Sequence, residues 1–315
     1  MSVAGPPHPV PPNALDRFRI LSPDRESYWR NFALPGVIWL ILFVIIPTYA
    51  ILAVAFGRVN FLFQPVPYWN PLDWNGGYAS RAISGSLPGG EFWPSIRNTL
   101  VFVAVSLGLC FAIGYPVAYY VARHAKRTKA LLIVLLVIPF WVSYLLRMLA
   151  WIGLLTPGGW VNEILKAIGI SHPPDWLDGN AYSVILALCY GYIPYFILPV
   201  FAGLDRIDQS QIEAARDLGA TPMQAFLRVT LPLSRPSIMA GAALVVLPMF
   251  GDYYTNDLIS ASPKTSMLGN EINLFVLGGN QQPLGASLVL VLMILLGIGM
   301  AYYLYATLRD TRRLA

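Results

Sequence analysis

The stretch MFGDYYTNDL, residues 249–258, sets two carboxylates, Asp252 and Asp257, beside two phenol rings, Tyr253 and Tyr254. A carboxylate attracts a cation by its charge, and a ring face attracts one by its quadrupole. Such a set suits an ammonium group on an apolar stem. On a helix, i,i+4 spacing places Asp252 and Asn256 on one face and Tyr253 and Asp257 on another. A second group lies in IPFWVSYLLRMLAWIGLL, residues 138–155, where Trp141, Tyr144 and Trp151 accompany Arg147. A buried cation repels a cationic ligand, so Arg147 has two readings. It is a structural partner of Asp252 or of backbone carbonyls at a helix break, or it is a gate that releases Asp252 when a path opens. The aromatic side chains either line that path or simply pack.

The elements that must hold these residues are long and apolar. Of 315 residues, 56% are hydrophobic and 12% charged, about half the charge of a typical soluble domain at about 25%. A helix crossing a bilayer needs about 20 mostly apolar residues. Six segments qualify, at about 33–56, 99–122, 130–155, 182–204, 236–259 and 285–308. The first is longer than a signal-peptide core of about 7–15 residues and reads as a retained helix. Residues 1–32 form a Pro-rich cytoplasmic leader, and residues 309–315 a cytoplasmic tail. In a membrane frame Asp257 fits ordinary interfacial polarity. Asp252 lies deeper; a carboxylate at the bilayer centre costs about 2.5–3.5 kcal/mol, so it calls for a partner or a watery cavity. Pro139, Pro194, Pro199 and Pro248 each remove a backbone hydrogen bond from a span and bend it.

Lys and Arg orient the spans. With the N-terminus inside, the inner segments hold 15 of these residues and the outer segments 5. Both termini and the segment 205–235 therefore face the cytoplasm. The net charge of +5 is a topology signal and not a nucleic-acid footprint. Outside, residues 57–98 carry Trp69, Trp74, Trp93, Tyr68 and Tyr78, suited to the water–lipid boundary. Residues 160–170, WVNEILKAIGI, read as a short amphipathic helix along the outer surface. Cys110 and Cys189 fall in apolar runs and read as packing residues. The scattered His8, His124 and His172 have no ligand spacing, so no metal site is expected.

The cytoplasmic segment contains EAARDLGATPMQAFLRVTLP, residues 213–232. Asp208, with Gln211 three residues on, has the pattern of a capping box for a first short helix. Gly219 can close that helix in the left-handed C′ conformation. Thr221, Pro222 and Gln224 start a second helix with another box, and Pro232 should end it. A mere tether has no need of such caps. Ala214 and Ala215 leave a shallow spot rimmed by Glu213, Arg216 and Asp217, with Leu218, Met223 and Phe226 as apolar anchors. Such a knob either docks into another protein's cleft or packs beneath its own membrane domain.

Glu213-Ala214-Ala215, three residues, Gly219, nine residues, Val229, one residue, then Leu231-Pro232 resembles the EAA loop of ABC-importer permeases, with Val where Ile is commoner. The stretches at 138–155, 190–208 (YGYIPYFILPVFAGLDRID) and 251–260 (GDYYTNDLIS) are similar to the first permease subunit of spermidine/putrescine importers. The likeness runs from about residue 33 to 308. It implies an all-α integral membrane protein with six transmembrane helices, the type I ABC-importer permease fold, and a cytoplasmic coupling-helix hairpin. It implies residence in the bacterial inner membrane beside a second, related permease. Two ATPase subunits would sit beneath and a soluble polyamine-binding protein would dock outside. Carried over to this chain, Glu213 is the charged contact to the ATPase and Ala214 and Ala215 the close-approach face. Arg216, Leu218, Gly219 and Pro232 complete that loop.

The chain has no G-x-x-x-x-G-K-[ST] phosphate loop. ATP and magnesium are thus expected on partner subunits, with no cofactor in this chain and no catalytic residue. A self-sufficient secondary carrier is the alternative, but such carriers often show internal repeats, and none is visible here. A membrane-embedded enzyme would need a convergent set such as H-E-x-x-H, which is missing from the sequence. An importer permease for another small solute stays open, because the acidic and aromatic fifth span only leans towards polyamines.

Overall fold

The computed structural model describes residues 25–62, 64–125, 127–278 and 281–314. Most of the Pro-rich leader lies outside the described residues. The chain divides into two compact units, residues 1–51 and 52–315. In the first, a helix from Arg25 passes through a π-helical turn at Ile41–Ile45 and continues as Ile46–Ala55. Its apolar part, α1 (Phe32–Ala55), has the length and hydropathy of a membrane span.

The second unit begins at Leu52, in the last turn of this helix. A two-stranded antiparallel pair, β1 (Arg58–Val59) and β2 (Pro65–Val66), is followed by α2 (Gly77–Ser86). Phe56 stacks flat on Trp74 at 4.7 Å, and the Trp74 Nε1–H donates to the Tyr68 carbonyl at 2.9 Å. The spans follow as α3 (Trp93–Arg123), α7 (Ala181–Arg206), α9 (Pro222–Phe250) and α12 (Gln282–Leu314), with two shorter pieces, α4 (Lys129–Val137) and α5 (Tyr144–Leu155), between α3 and α7. The small helix α6 (Trp160–Ala167) forms where the amphipathic stretch predicts it, and Trp160, Ile164 and Ile168 stay exposed on it.

The core lies where α3 and α9 flank α7: Phe102, Cys110, Leu188, Phe196, Val200, Leu204, Val245 and Met249 are buried together. Gly114 lets α3 approach α7 closely, since a Cβ there would stand 3.0 Å from the Phe196 ring. Cys110 and Cys189 are free thiols in this core, with Sγ atoms 3.7 Å apart, which fits the packing role expected of them. Lys129 at the start of α4 forms an ion pair with Asp205 at the end of α7.

Two spans depart from the straight segments expected. The third, expected at 130–155, is a broken pair, Lys129–Trp141 and Tyr144–Ala167, bent by 89°. Pro139 lacks the N–H that would hold the helix. Residues Ile138–Trp141 tighten into a 3₁₀ turn, and Val142 and Ser143 are extended. The fifth, expected at 236–259, begins earlier and ends earlier, at Pro222 and Phe250. Pro232 does not stop it, contrary to expectation. A π-helical turn at Phe226–Thr230, closed by the Leu231 N–H on the Phe226 carbonyl, precedes the proline. The wider turn gives the ring room that a regular helix denies it. Gly251 then ends the helix, and a separate short one, α10 (Tyr254–Ile259), follows.

Candidate functional site

The break after Gly251 determines what Asp252 does. Asp252 precedes α10, so the helical face it was expected to share with Asn256 does not form. Its carboxylate instead caps α10, accepting from the Thr255 N–H at 3.0 Å and the Thr255 hydroxyl at 2.6 Å. The hydroxyl of Tyr144 on α5 donates to the same carboxylate at 3.1 Å, and that of Tyr192 on α7 at 3.0 Å. Asp252 is buried, and these donors replace the water that its charge has lost. Glycines make the assembly compact. A Cβ on Gly191 would fall 2.8 Å from the Tyr144 ring, and one on Gly269 would fall 2.8 Å from the Asp252 carbonyl; the latter glycine lies in α11 (Leu268–Asn273).

Arg147 does not pair with Asp252. Its guanidinium lies over the Phe140 ring at 4.4 Å and the Tyr144 ring at 5.3 Å. The side chain is 8% exposed, and its Nε and Nη1 have no hydrogen-bond partner. Neither the structural pair with Asp252 nor a bond from these nitrogens to backbone carbonyls is therefore realised, and no Arg147–Asp252 pair stands ready for release. The two halves of the broken third span bring this cluster together: Phe140 comes from before the bend, Tyr144 and Arg147 from after it. The rings continue onto α7, where Phe140 meets Tyr195 at 5.8 Å and Tyr144 meets Tyr192 at 6.0 Å.

The remaining expected residues are placed differently. Trp141 is 82% exposed and makes none of these ring contacts. Tyr253 and Tyr254 stack on each other at 4.3 Å, with Tyr254 half exposed. Asp257 is exposed and accepts from the Asn270 amide at 2.6 Å. Sequence reasoning missed Tyr192, Thr255, Phe140 and Tyr195. The alternation Tyr190-Gly191-Tyr192 carried a usable signal, since a glycine between rings in a span marks a close approach.

The polar hairpin forms with its caps in place. Its first helix, α8 (Gln209–Asp217), is capped by Asp208, whose carboxylate accepts from the Ser210 N–H at 3.0 Å. That bond replaces the box expected with Gln211. The helix closes in a Schellman motif: the Gly219 N–H reaches the Arg216 carbonyl, and the Ala220 N–H reaches the Ala215 carbonyl. Gly219 has φ +87°, the left-handed conformation expected of it. Thr221 and Gln224 complete the second box. No residue of α8 is buried. Glu213, Ala214, Arg216 and Leu218 are open, Leu218 being 90% exposed. A shallow cleft is lined by Glu213, Arg216, Asp217, Ala220 and Pro222.

Apolar spans, an uncovered polar hairpin between two of them and a buried carboxylate ringed by tyrosines make up a membrane transport component. Residues 112–313 match the family of binding-protein-dependent transport system inner membrane components, and the chain belongs to that family. It is a multi-pass inner-membrane protein. Among curated relatives, the spermidine/putrescine transport system permease protein PotB of Salmonella typhimurium (strain SL1344) is 29% identical over 284 residues, covering 88% of this chain and 93% of that one. PotB of Escherichia coli (strain K12) is 30% identical, with coverage of 84% and 92%. PotB of Haemophilus influenzae is 33% identical, with 82% and 87%. Among solved structures, a chain of a bacterial ABC transporter involved in the import of the acidic polysaccharide alginate superimposes with TM-score 0.67 at 18% identity, over 93% of this chain and 99% of that chain. A chain of the inward-facing MetNI methionine ABC transporter does so with TM-score 0.51 at 22% identity, over 73% and 100%. These two likenesses establish the ABC-importer permease fold.

Proposed function

We propose that the chain is a permease subunit of an ATP-driven importer of polyamines, forming half of the pathway with a second permease. Two ATPase subunits bind ATP and magnesium beneath it, and a polyamine-binding protein delivers substrate outside. Both termini face the cytoplasm, in keeping with the distribution of Lys and Arg. The substrate class rests on the resemblance to spermidine/putrescine permeases and on the chemistry of Asp252, Tyr144 and Tyr192.

One observation carries the coupling role. The helix Pro222–Phe250 runs without interruption from the exposed hairpin to the residue before Gly251, next to Asp252. Its 29 residues span about 43 Å at 1.5 Å per residue. An ATPase that grips Glu213, Ala214, Ala215 and Leu218 moves one end of this rod, and the Asp252 cluster sits at the other.

The test is purification of the tagged chain from its own membranes, then uptake of labelled spermidine and putrescine by the reconstituted assembly. Recovery of a second permease and a phosphate-loop ATPase, with ATP-dependent uptake, is the expected result. Recovery of this chain alone, still transporting, would favour the secondary carrier. Glu213→Arg should abolish uptake while membrane insertion stays normal, and unchanged uptake would remove the hairpin from the coupling path.

A further inference from the structure

Among the described residues, Arg147 is one of two arginines, with Arg123, that have buried side-chain nitrogens without a hydrogen-bond partner. A guanidinium has five N–H donors and does not lose its proton. Here it is 92% buried, taking its 8% exposure from the whole, and its Nε and Nη1 donate to nothing. Its direct support is two ring faces, Phe140 at 4.4 Å and Tyr144 at 5.3 Å. Tyr144 in turn donates its hydroxyl to the Asp252 carboxylate at 3.1 Å. Two ring faces backed by a carboxylate are what an alkylammonium needs. The chain's own cation lies on them, poorly hydrogen-bonded and carried on a flexible stem.

We propose that the faces of Phe140 and Tyr144, backed by Asp252, are the seat of one ammonium group of the transported cation, and that Arg147, which lies over both rings, is a tethered competitor for this seat. The proposal rests on the polyamine reading and deepens it. An arriving ammonium takes over the ring faces, and the guanidinium swings away to recover hydrogen bonds elsewhere. Until then its fixed charge keeps stray cations off the seat. Arg147 thus acts as a selectivity device that makes entry depend on delivery by the binding protein. This also resolves the paradox of a cation beside a cation path: its repulsion is useful while the path stands empty.

The experiment uses the whole transporter in proteoliposomes loaded with ATP, measuring putrescine and spermidine uptake with and without the binding protein. Two like charges about 6 Å apart at an effective dielectric of about 20 disfavour joint occupancy about a hundredfold. Arg147→Met should therefore raise uptake without binding protein by about tenfold or more, and Arg147→Lys, which keeps the charge, should restore the low leak. Phe140→Leu, which removes one ring face of the seat itself, should slow uptake with binding protein present, and if Arg147→Met fails to assemble on size exclusion, unchanged uptake in an assembled Phe140→Leu transporter overturns the proposal. An assembled Arg147→Met transporter with no added leak overturns the proposal, as does an equal rise in the Met and Lys variants, which would indicate packing. If the unmodified transporter moves neither polyamine even with binding protein, the polyamine reading itself falls and the seat falls with it.

Discussion

Removing the Tyr192 hydroxyl tests the Asp252 cluster most directly. Tyr192→Phe deletes one donor, 3.0 Å from the carboxylate, and leaves three, the Tyr144 hydroxyl and the Thr255 N–H and hydroxyl. A hydrogen bond to a charged group contributes about 1.5–3 kcal/mol, and a neutral one about 0.5–1.5 kcal/mol. Because the carboxylate keeps three donors, the loss should fall near the lower end, about 1.5–2 kcal/mol. In an Asp252→Asn background the same deletion breaks a neutral bond, worth about 0.5–1 kcal/mol. The double-mutant cycle should therefore show a coupling of about 1 kcal/mol, about a fivefold change in the folded-to-unfolded ratio. Denaturant unfolding in mixed detergent–lipid micelles, followed by tryptophan fluorescence, measures all four corners of the cycle. Independent sites add within about 0.3–0.5 kcal/mol. Additivity at that level would refute the bond between Tyr192 and Asp252, and with it the account of how the carboxylate is held.

The other expectations concern geometry at single residues. Gly191→Ala would put a Cβ 2.8 Å from the Tyr144 ring and 3.0 Å from its hydroxyl; overpacking of this kind costs about 1–3 kcal/mol, seen as a lower unfolding midpoint together with slower uptake. Gly219→Ala forces an L-residue to φ +87°, at about 1–2 kcal/mol, and should speed amide exchange at Ala220 and in the last turn of α8. The Ser210 N–H holds the Asp208 carboxyl below its ordinary value of 3.8. A depressed folded value means that the cap is fully present above the ordinary value and lost as pH falls through the folded one. Exchange in the first turn of α8, corrected for intrinsic rates, should thus be flat between about pH 5 and 7 and rise only below about pH 4.

The features legible in the sequence are those that local chemistry decides. Both caps of the hairpin and its left-handed glycine depend on residues within four positions of one another, and they form nearly as read. The short surface helix at 160–167 is equally local. The breaks in the third and fifth spans were not read, because counting apolar residues cannot separate one long helix from two short ones. The fifth span did carry a stop and a start: Gly251 after the apolar run, then Asp252 three residues before Thr255. The pattern of the run concealed them. In the third span Pro139 announces a bend, but a bend of 89° depends on what receives the two halves, and the rings on α7 do that. Tyr192 escaped notice for a related reason. Its partner is 60 residues away in sequence, and nothing in the spacing of either segment links them.

The continuity of the helix Pro222–Phe250 has a mechanical consequence. A flexible connection between hairpin and membrane would dissipate a push on Glu213, whereas a helix transmits displacement and rotation along its axis. Pro232 and Pro236 look like weak points in such a rod. The π turn at Phe226–Thr230 takes up the strain of the first, and Thr230 and Ser234 beside it are buried. The Ser234 hydroxyl shares a hydrogen bond with Tyr115 of α3 at 3.0 Å, which pins this segment to the core. Motion at the hairpin must then either carry α3 with it or turn α9 about its own axis. In both cases the helix ends at Gly251, three residues past Pro248, and the next residue is Asp252. In the proposed coupling, a change begun at an exposed glutamate would reach the carboxylate that Tyr144 and Tyr192 hold, at the place where the helix ends.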